Sequence, residues 1–222
     1  MQLKKITLAV ALAASSALTS TAVLAEDSPI SGTLTFVTDY VSRGFSYTAG
    51  RPAVQASLDY SHDSGFYAGV WGSSVSDKAL GIGSHGVEFD VYLGYATEIG
   101  GFGVDVGAVR YIFPSDISSK DTDSTDLYIG VSWEMLGFTY YRDIDLDVNY
   151  YELGAAVPLT DSWTLEASYG HSDPDDGDSY NNWKLGVTTS YAGLDFGLHY
   201  VDSDADAPDY DSTVIFSVSK SF

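Results

Sequence analysis

The sequence predicts an all-β protein, a transmembrane antiparallel up-and-down β-barrel of about twelve strands carried behind an N-terminal signal peptide. Three observations predict it. From Thr33 to Phe222 apolar and polar side chains alternate with a period of two, the period of a strand with one apolar and one polar face. Short turns and longer loops alternate along the chain, as in a barrel whose two rims face different compartments. Large aromatics collect at strand ends: Tyr60, Phe66, Tyr95, Phe102, Trp133, Phe138, Trp163, Tyr191 and Phe222 near the short turns, and Tyr169, Trp183 and Tyr200 near the loops. That is the placement of two interfacial girdles.

Residues 1–25 read as the signal peptide. Lys4 and Lys5 precede an apolar, alanine-rich stretch from Ile6 to about Leu18, and Val23-Leu24-Ala25 offers small residues for cleavage. The apolar run is too short and too broken by Ser and Thr for a transmembrane helix. The barrel then occupies residues 26–222. Removing 25 of 222 residues leaves 197, and losing the two lysines takes the formal charge from −21 to −23. Such acidity excludes nucleic acid as a partner, because phosphates need Lys and Arg to displace their counterions. The absence of cysteine excludes disulfides, thiolate metal sites and cysteine nucleophiles. No stretch after residue 25 has the length of a membrane-spanning helix, so insertion is by closed strands.

The elements follow in order. Leu34, Phe36 and Tyr40 face one way and Thr35, Asp39 and Arg43 the other, with a loop from Gly44 to Gly50. Val54, Ala56, Leu58 and Tyr60 lead to a turn at His62-Asp63-Ser64-Gly65, and Phe66, Ala68 and Val70 to a loop from Ser76 to Gly86. Val87, Phe89, Val91, Leu93 and Tyr95 oppose Glu88, Asp90, Tyr92 and Gly94, and Gly100-Gly101 turns the chain back. Phe102, Val104, Val106 and Ala108 run up to a loop from Pro114 to Ser124, and Leu127, Ile129, Val131 and Trp133 descend to a turn at Leu136-Gly137. Phe138 and Tyr140 precede the acidic loop Asp143 to Asp147; Tyr151, Leu153, Ala155 and Val157 precede the turn Pro158 to Asp161. Trp163, Leu165, Ala167 and Tyr169 rise to a loop from Ser172 to Asn182, Trp183, Leu185 and Val187 descend to Ala192-Gly193, and Leu194, Phe196, Leu198 and Tyr200 rise to a loop from Asp202 to Asp211. The last strand sets Val214, Phe216, Val218 and Phe222 against Thr213, Ser217, Ser219 and Ser221. It is expected to close onto another strand rather than remain a sticky edge.

Arg110 and Arg142 fall on the apolar parity toward the loop side. Either each reaches up to lipid phosphates or a bulge shifts the local register; the first is preferred.

The final strand ending in Phe222 resembles the C-terminal signature of bacterial outer-membrane barrels, with Lys220 a departure from it. Thr38-Asp39-Tyr40-Val41-Ser42-Arg43-Gly44-Phe45-Ser46, Pro52-Ala53-Val54-Gln55, the run from Asp59 to Ser73 and Glu88-Phe89-Asp90-Val91-Tyr92-Leu93-Gly94-Tyr95 together resemble the TorF-type family of predicted outer-membrane porins. The resemblance is specific over about residues 31–114 and architectural beyond; Tyr47 stands where the family usually has glutamine. It implies a signal peptide, an outer-membrane barrel and a pore, and brings neither a catalytic residue nor a substrate. The C-terminal resemblance implies that assembly machinery reads Phe222.

If the polar parity is the lumen, its acids are Asp39, Asp59, Glu88, Asp90, Glu98, Asp105, Asp126, Glu134, Glu152, Glu166 and Asp195, and its bases are Arg43, Arg51 and Lys184. Eleven against three makes a wall charge near −8, which favours cations. Asp39, Arg43, Arg51, Asp59, Glu88, Asp90, Asp105, Glu152, Glu166 and Lys184 are the candidate lumen and selectivity residues. Tyr67, Trp71, Tyr92 and Tyr128 narrow the lumen to small solutes or close it. The expected function is a passive, cation-preferring channel for small solutes in the outer membrane; the alternative is a non-conducting structural or adhesive barrel.

The outer loops carry Asp143, Asp145 and Asp147, then Asp173, Asp175, Asp176 and Asp178, then Asp202, Asp204, Asp206, Asp209 and Asp211. Such carboxylates are hard ligands suited to Ca²⁺ or Mg²⁺ bridging to lipopolysaccharide, but Ala207 and Thr213 stand where a calcium loop needs Gly and Glu. Solvated charge is the preferred reading. His85, His171 and His199 lack a serine elbow or paired signature, so no enzyme, cofactor or metal is expected. The expected partners are outer-membrane lipid and lipopolysaccharide, small solutes or cations, and the assembly machinery.

Overall fold

In the computed structural model, which describes residues 28–76, 86–114, 123–206 and 209–222, the alternating segments form fourteen strands. They are β1 (Ile30–Val37), β2 (Val41–Ser42), β3 (Phe45–Ser46), β4 (Ala53–Ser61), β5 (Phe66–Ser74), β6 (Val87–Ile99), β7 (Phe102–Ile112), β8 (Ser124–Trp133), β9 (Leu136–Asp143), β10 (Val148–Pro158), β11 (Trp163–Pro174), β12 (Tyr180–Tyr191), β13 (Leu194–Ser203) and β14 (Thr213–Ser221). All except β2 and β3 join one closed antiparallel barrel of twelve strands. β1 completes the ring by pairing with both β4, Val37 opposite Ala53, and β14, Thr33 opposite Ser221. Neither edge is left unpaired, as the last strand's two-faced pattern requires. The predicted signal peptide and His85 lie outside the described residues.

The two-residue period decides which face is which. Leu34, Leu58, Leu93, Leu153 and Leu185 are 51–61 % exposed, whereas Glu88, Asp90, Asp126, Ser217 and Ser219 are among the most completely buried side chains of the described residues. A barrel dissolved in water would invert this, since each exposed Å² of apolar surface costs about 25 cal/mol in water. The exterior is a surface for hydrocarbon and the interior is polar.

The short turns use few residues because their backbones twist with the strands. Gly100 and Gly101 both sit at positive φ (61° and 87°) between β6 and β7, the two-residue turn that flanking right-twisted strands demand. Between β8 and β9 the turn lies at Glu134-Met135, with Leu136 already paired to Trp133, two residues ahead of the expected Leu136-Gly137. On the other rim β11 and β12 reach Pro174 and Tyr180, so that loop is shorter than its composition implies.

Two expectations need correction. β1 ends at Val37, so Tyr40 does not face lipid and Asp39 and Arg43 do not continue the strand. Tyr40 is buried inside the barrel. Arg110 and Arg142 keep unbroken register opposite Thr125 and Asn149, so no bulge moves them. Each is satisfied by the protein's own rim. Arg110 Nη1 donates to Asp145 (2.8 Å) and to Thr125 Oγ1 (2.9 Å), and Arg142 Nη2 donates to Asp147 (2.6 Å) and Asp175 (2.9 Å). The acids of the loops thus supply the counter-charges that lipid phosphate was expected to provide.

Candidate functional site

The segment between β1 and β4 does not stand above the barrel but folds into it. Ser42-Arg43-Gly44-Phe45 is a two-residue turn with positive φ at Arg43 (49°) and Gly44 (85°), joining β2 and β3 in a miniature hairpin. A Cβ on Gly44 would lie 2.9 Å from the Cβ atoms of both Asn182 and Ser203, so only glycine lets the tip approach β12 and β13.

The hairpin holds its shape through its own short polar side chains. Asp39 Oδ1 accepts hydrogen bonds from Ser46 Oγ (2.6 Å) and Thr48 Oγ1 (2.7 Å), and Thr48 Oγ1 accepts one from the Tyr40 amide (3.0 Å). The backbone ties to the wall through Thr38 N to Phe216 O and Ser76 N to Tyr47 O. Tyr40 and Val41 pack with Val37, Ala53, Val75, Val201 and Ile215, and against Trp71. This is one of two apolar clusters inside the lumen, and it fastens the base of the hairpin beside β1, β4 and β14.

The tip is held by charge. Arg43 Nη2 donates to Asp126 Oδ2 at 2.5 Å, and its guanidinium carbon lies 4.4 Å from the ring centre of Tyr150 and 5.0 Å from that of Tyr141. Tyr111 donates to the same carboxylate oxygen (3.1 Å). Asp126, Tyr141 and Tyr150 stand on β8, β9 and β10, and β9 is diametrically opposite β1 in the strand order. The hairpin therefore crosses the lumen.

Tyrosines lie flat on the wall because glycines face them. Gly69 sits opposite Tyr92 and Gly94 opposite Tyr67, and Gly107 sits opposite Tyr128; a Cβ on any of these glycines would overlap the facing tyrosine ring. The hydroxyls then reach the wall acids: Tyr67 donates to Asp105 (2.7 Å) and Tyr92 to Asp59. On the opposite wall His199 Nε2 meets Glu166 Oε2 at 3.0 Å.

Below the hairpin, toward the short-turn rim, a cavity of about 570 Å³ remains, lined by Arg43, Asp105, Glu152, Glu166, Lys184 and His199 and reaching Glu134 and Ser162 at the turns. The candidate lumen residues distribute unequally around it. Asp39 and Arg43 belong to the hairpin, and Glu152, Glu166 and Lys184 line the cavity. Asp59 and Asp105 are capped by tyrosines. Glu88 and Asp90 are buried on β6, where Glu88 Oε2 and Asp90 Oδ1 have no hydrogen-bond partner among the described residues. Arg51 is exposed ahead of β4 and does not line the cavity. Sequence reasoning counted Asp126 among the wall acids without singling it out, and passed over Tyr141 and Tyr150. Parity alone carried a signal: Tyr140 and Arg142 face outward, so Tyr141 between them faces in. Among the described residues no group of three or more His, Asp or Glu is placed to hold a metal ion.

Among the solved structures to which the barrel is similar are three of porins. They are a KdgM porin (7 % identity, TM-score 0.60, 86 % of this chain and 98 % of that one), KdgM porin in complex with disordered oligogalacturonate (8 %, 0.56, 87 % and 97 %) and a NanC porin (12 %, 0.55, 86 % and 97 %). At these identities the likeness is one of fold. No curated protein matches the sequence. The model of a bacterial family of unknown function, Gcw_chp, matches residues 24–222, nearly the whole chain, and the protein belongs to that family.

Proposed function

We propose that this protein is an outer-membrane channel of the porin kind, for passive diffusion of small solutes, with a preference for cations. The observation that carries the reading is the inverted barrel: an apolar exterior around a polar interior with a solute-sized cavity below a charged constriction. Function here follows from the lumen, because lining groups and bore decide what passes. The porin-like fold supports the coarse part of this reading. The preference rests on the acids: Asp59, Glu88, Asp90, Asp105, Asp126, Glu152 and Glu166 face inward against Arg43 and Lys184. Oligogalacturonate, the polyanion named with one of the similar porins, is a poor electrostatic fit to such a wall.

The same reading includes a cleaved signal peptide over residues 1–25, no catalytic role, contact with lipopolysaccharide at the rim, and delivery by assembly machinery that reads Phe222. The TorF-type resemblance of the hairpin segment agrees with it. One observation favours the second reading, a barrel that does not conduct: the hairpin occupies the outer part of the lumen. Conductance of the refolded mature protein in a planar bilayer with a salt gradient separates the two. Discrete steps with a cation-selective reversal potential are expected; stable insertion without current overturns the channel, and an anion-selective sign overturns the preference.

A further inference from the structure

The barrel wall holds a guanidinium, and that guanidinium is the protein's own. Its receptor groups, Asp126, Tyr141 and Tyr150, all sit on strands of the wall, while the cation, Arg43, is presented by a two-residue turn. A carboxylate with two aromatic faces is a general recognition set for organic cations. The strands cannot leave, but a hairpin tip can.

The charge around this cage is not balanced by Arg43. Glu88, Asp90 and Asp126 are each at most 2 % exposed, and each keeps one oxygen without a hydrogen-bond partner among the described residues: Glu88 Oε2, Asp90 Oδ1 and Asp126 Oδ1. Asp90 on β6 pairs across from Tyr111 on β7, whose hydroxyl donates to Asp126, so the acids share one patch of wall. Buried carboxylates with free lone pairs are costly unless a cation comes to them. A bare divalent metal does not answer this need. It requires six or more oxygens within about 2.6 Å, whereas Glu88 and Asp90, two residues apart on one strand face, are separated by roughly 7 Å along the strand. A molecule with donors spread along its length fits that spacing. The cavity of about 570 Å³ that runs from Arg43, Tyr141 and Tyr150 to the short-turn rim is not lined by the three acids; it adjoins the cage from below and has the size of a small-ligand site.

We propose that the outer half of the lumen binds organic cations bearing guanidinium or primary ammonium groups, and that Arg43 occupies the cargo's place until such a cation displaces it. The proposal rests on the channel reading and names its substrate class. Cargo binding and hairpin latching are then alternatives, so a bound cargo takes the place of the latch in the bore.

The probe is agmatine, a four-carbon chain with a guanidinium at one end and an ammonium at the other. Calorimetry on the refolded mature protein in detergent is expected to show weak binding to wild type. Arg43→Ala is expected to bind at least about tenfold tighter, because the self-occupied fraction no longer lowers apparent affinity. Adding Glu88→Gln and Asp90→Asn to that variant removes the gain. Equal affinity of wild type and Arg43→Ala, or a gain that survives loss of both acids, overturns the proposal. If Arg43→Ala does not fold, the wild-type channel serves instead. Agmatine should then interrupt its potassium current and lose that effect in Glu88→Gln/Asp90→Asn; an unchanged effect overturns the site. Potassium current recorded before agmatine separates the two readings. Binding without any current overturns the channel and keeps the site, while current with no agmatine response in either assay overturns the site and keeps the channel.

Discussion

Arg43 and Asp126 stand 83 residues apart in the chain and 2.5 Å apart in the folded protein, with the carboxylate fully sealed from solvent. The pair joins the tip of the inward hairpin to the wall that faces its origin. It converts an open ring of strands into a ring with a crossbar.

Arg43→Ala removes the latch. Single-channel conductance is expected to rise by roughly twofold or more, because the bore is set at its narrowest section. The same change leaves Asp126 without its ion partner and is expected to lower stability by about 3 kcal/mol, since stranding one member of a buried pair exposes the desolvation cost of the other. Urea titration in lipid vesicles measures the second effect; conductance equal to wild type would argue that the hairpin does not limit flow.

Glu88→Gln/Asp90→Asn neutralises two acids with little change in volume. The reversal potential in a salt gradient is expected to move toward zero while conductance steps persist, because selectivity follows fixed lumen charge. A potential that stays put assigns selectivity to other residues.

The outer rim should respond to acid. Hydrogen bonds from Arg142 hold the Asp175 carboxyl below the usual carboxylate range. A depressed carboxyl contributes stability that is complete above its unfolded value of about 3.9 and is lost as pH falls through the lower folded value. The rim pairing is thus expected to be unchanged from neutral pH down to about 4 and to loosen below it. Hydrogen exchange at residues 144–147 reads this out, with Arg142→Ala showing the loosened rates already at pH 7.

Gly107→Val tests the tyrosine shelf. A Cβ there meets the Tyr128 ring at 2.6 Å and the Leu93 carbonyl, so Tyr128 must leave its seat or the strands must part. A loss of about 1–3 kcal/mol is expected, the usual cost of overpacking, visible as a lower urea midpoint. An unchanged midpoint would mean that Tyr128 has a second resting place.

Phe222 makes the last link of the seam. Its amide and carbonyl exchange hydrogen bonds with Gly32 at 3.0 and 2.9 Å, and its ring covers Gly32 so closely that an added Cβ would lie 2.8 Å away. Deleting Phe222 is expected to lower the yield of folded barrel in cells more than the yield of unassisted refolding into micelles. Equal losses would reduce its role to the seam alone.

How much of this was legible depends on range. Alternation along Val87 to Tyr95 is a local property, and it places Glu88 and Asp90 inside without any partner being known. Arg110 and Arg142 show the limit. Parity put them on the outer face correctly, but their partners Asp145, Asp147 and Asp175 come from neighbouring loops, and no periodic pattern specifies which loop acid lies beside which arginine. The hairpin was hidden for a different reason. Asp39, Tyr40 and Arg43 continue the parity of β1, so period alone extends the strand, and the Ser42-Arg43-Gly44-Phe45 turn reads as a loop of either direction.

The sequence by itself determined a closed barrel of twelve strands, its inner and outer faces and its acidic lumen, because a period of two and turn chemistry act over a few residues. Only the tertiary structure decided that the first long loop turns inward, that Arg43 finds Asp126 between two tyrosine rings, and that three buried carboxylates each keep an oxygen without a partner among the described residues. Those outcomes come from ring closure, which brings β1 and β8–β10 face to face across a space that no local pattern describes.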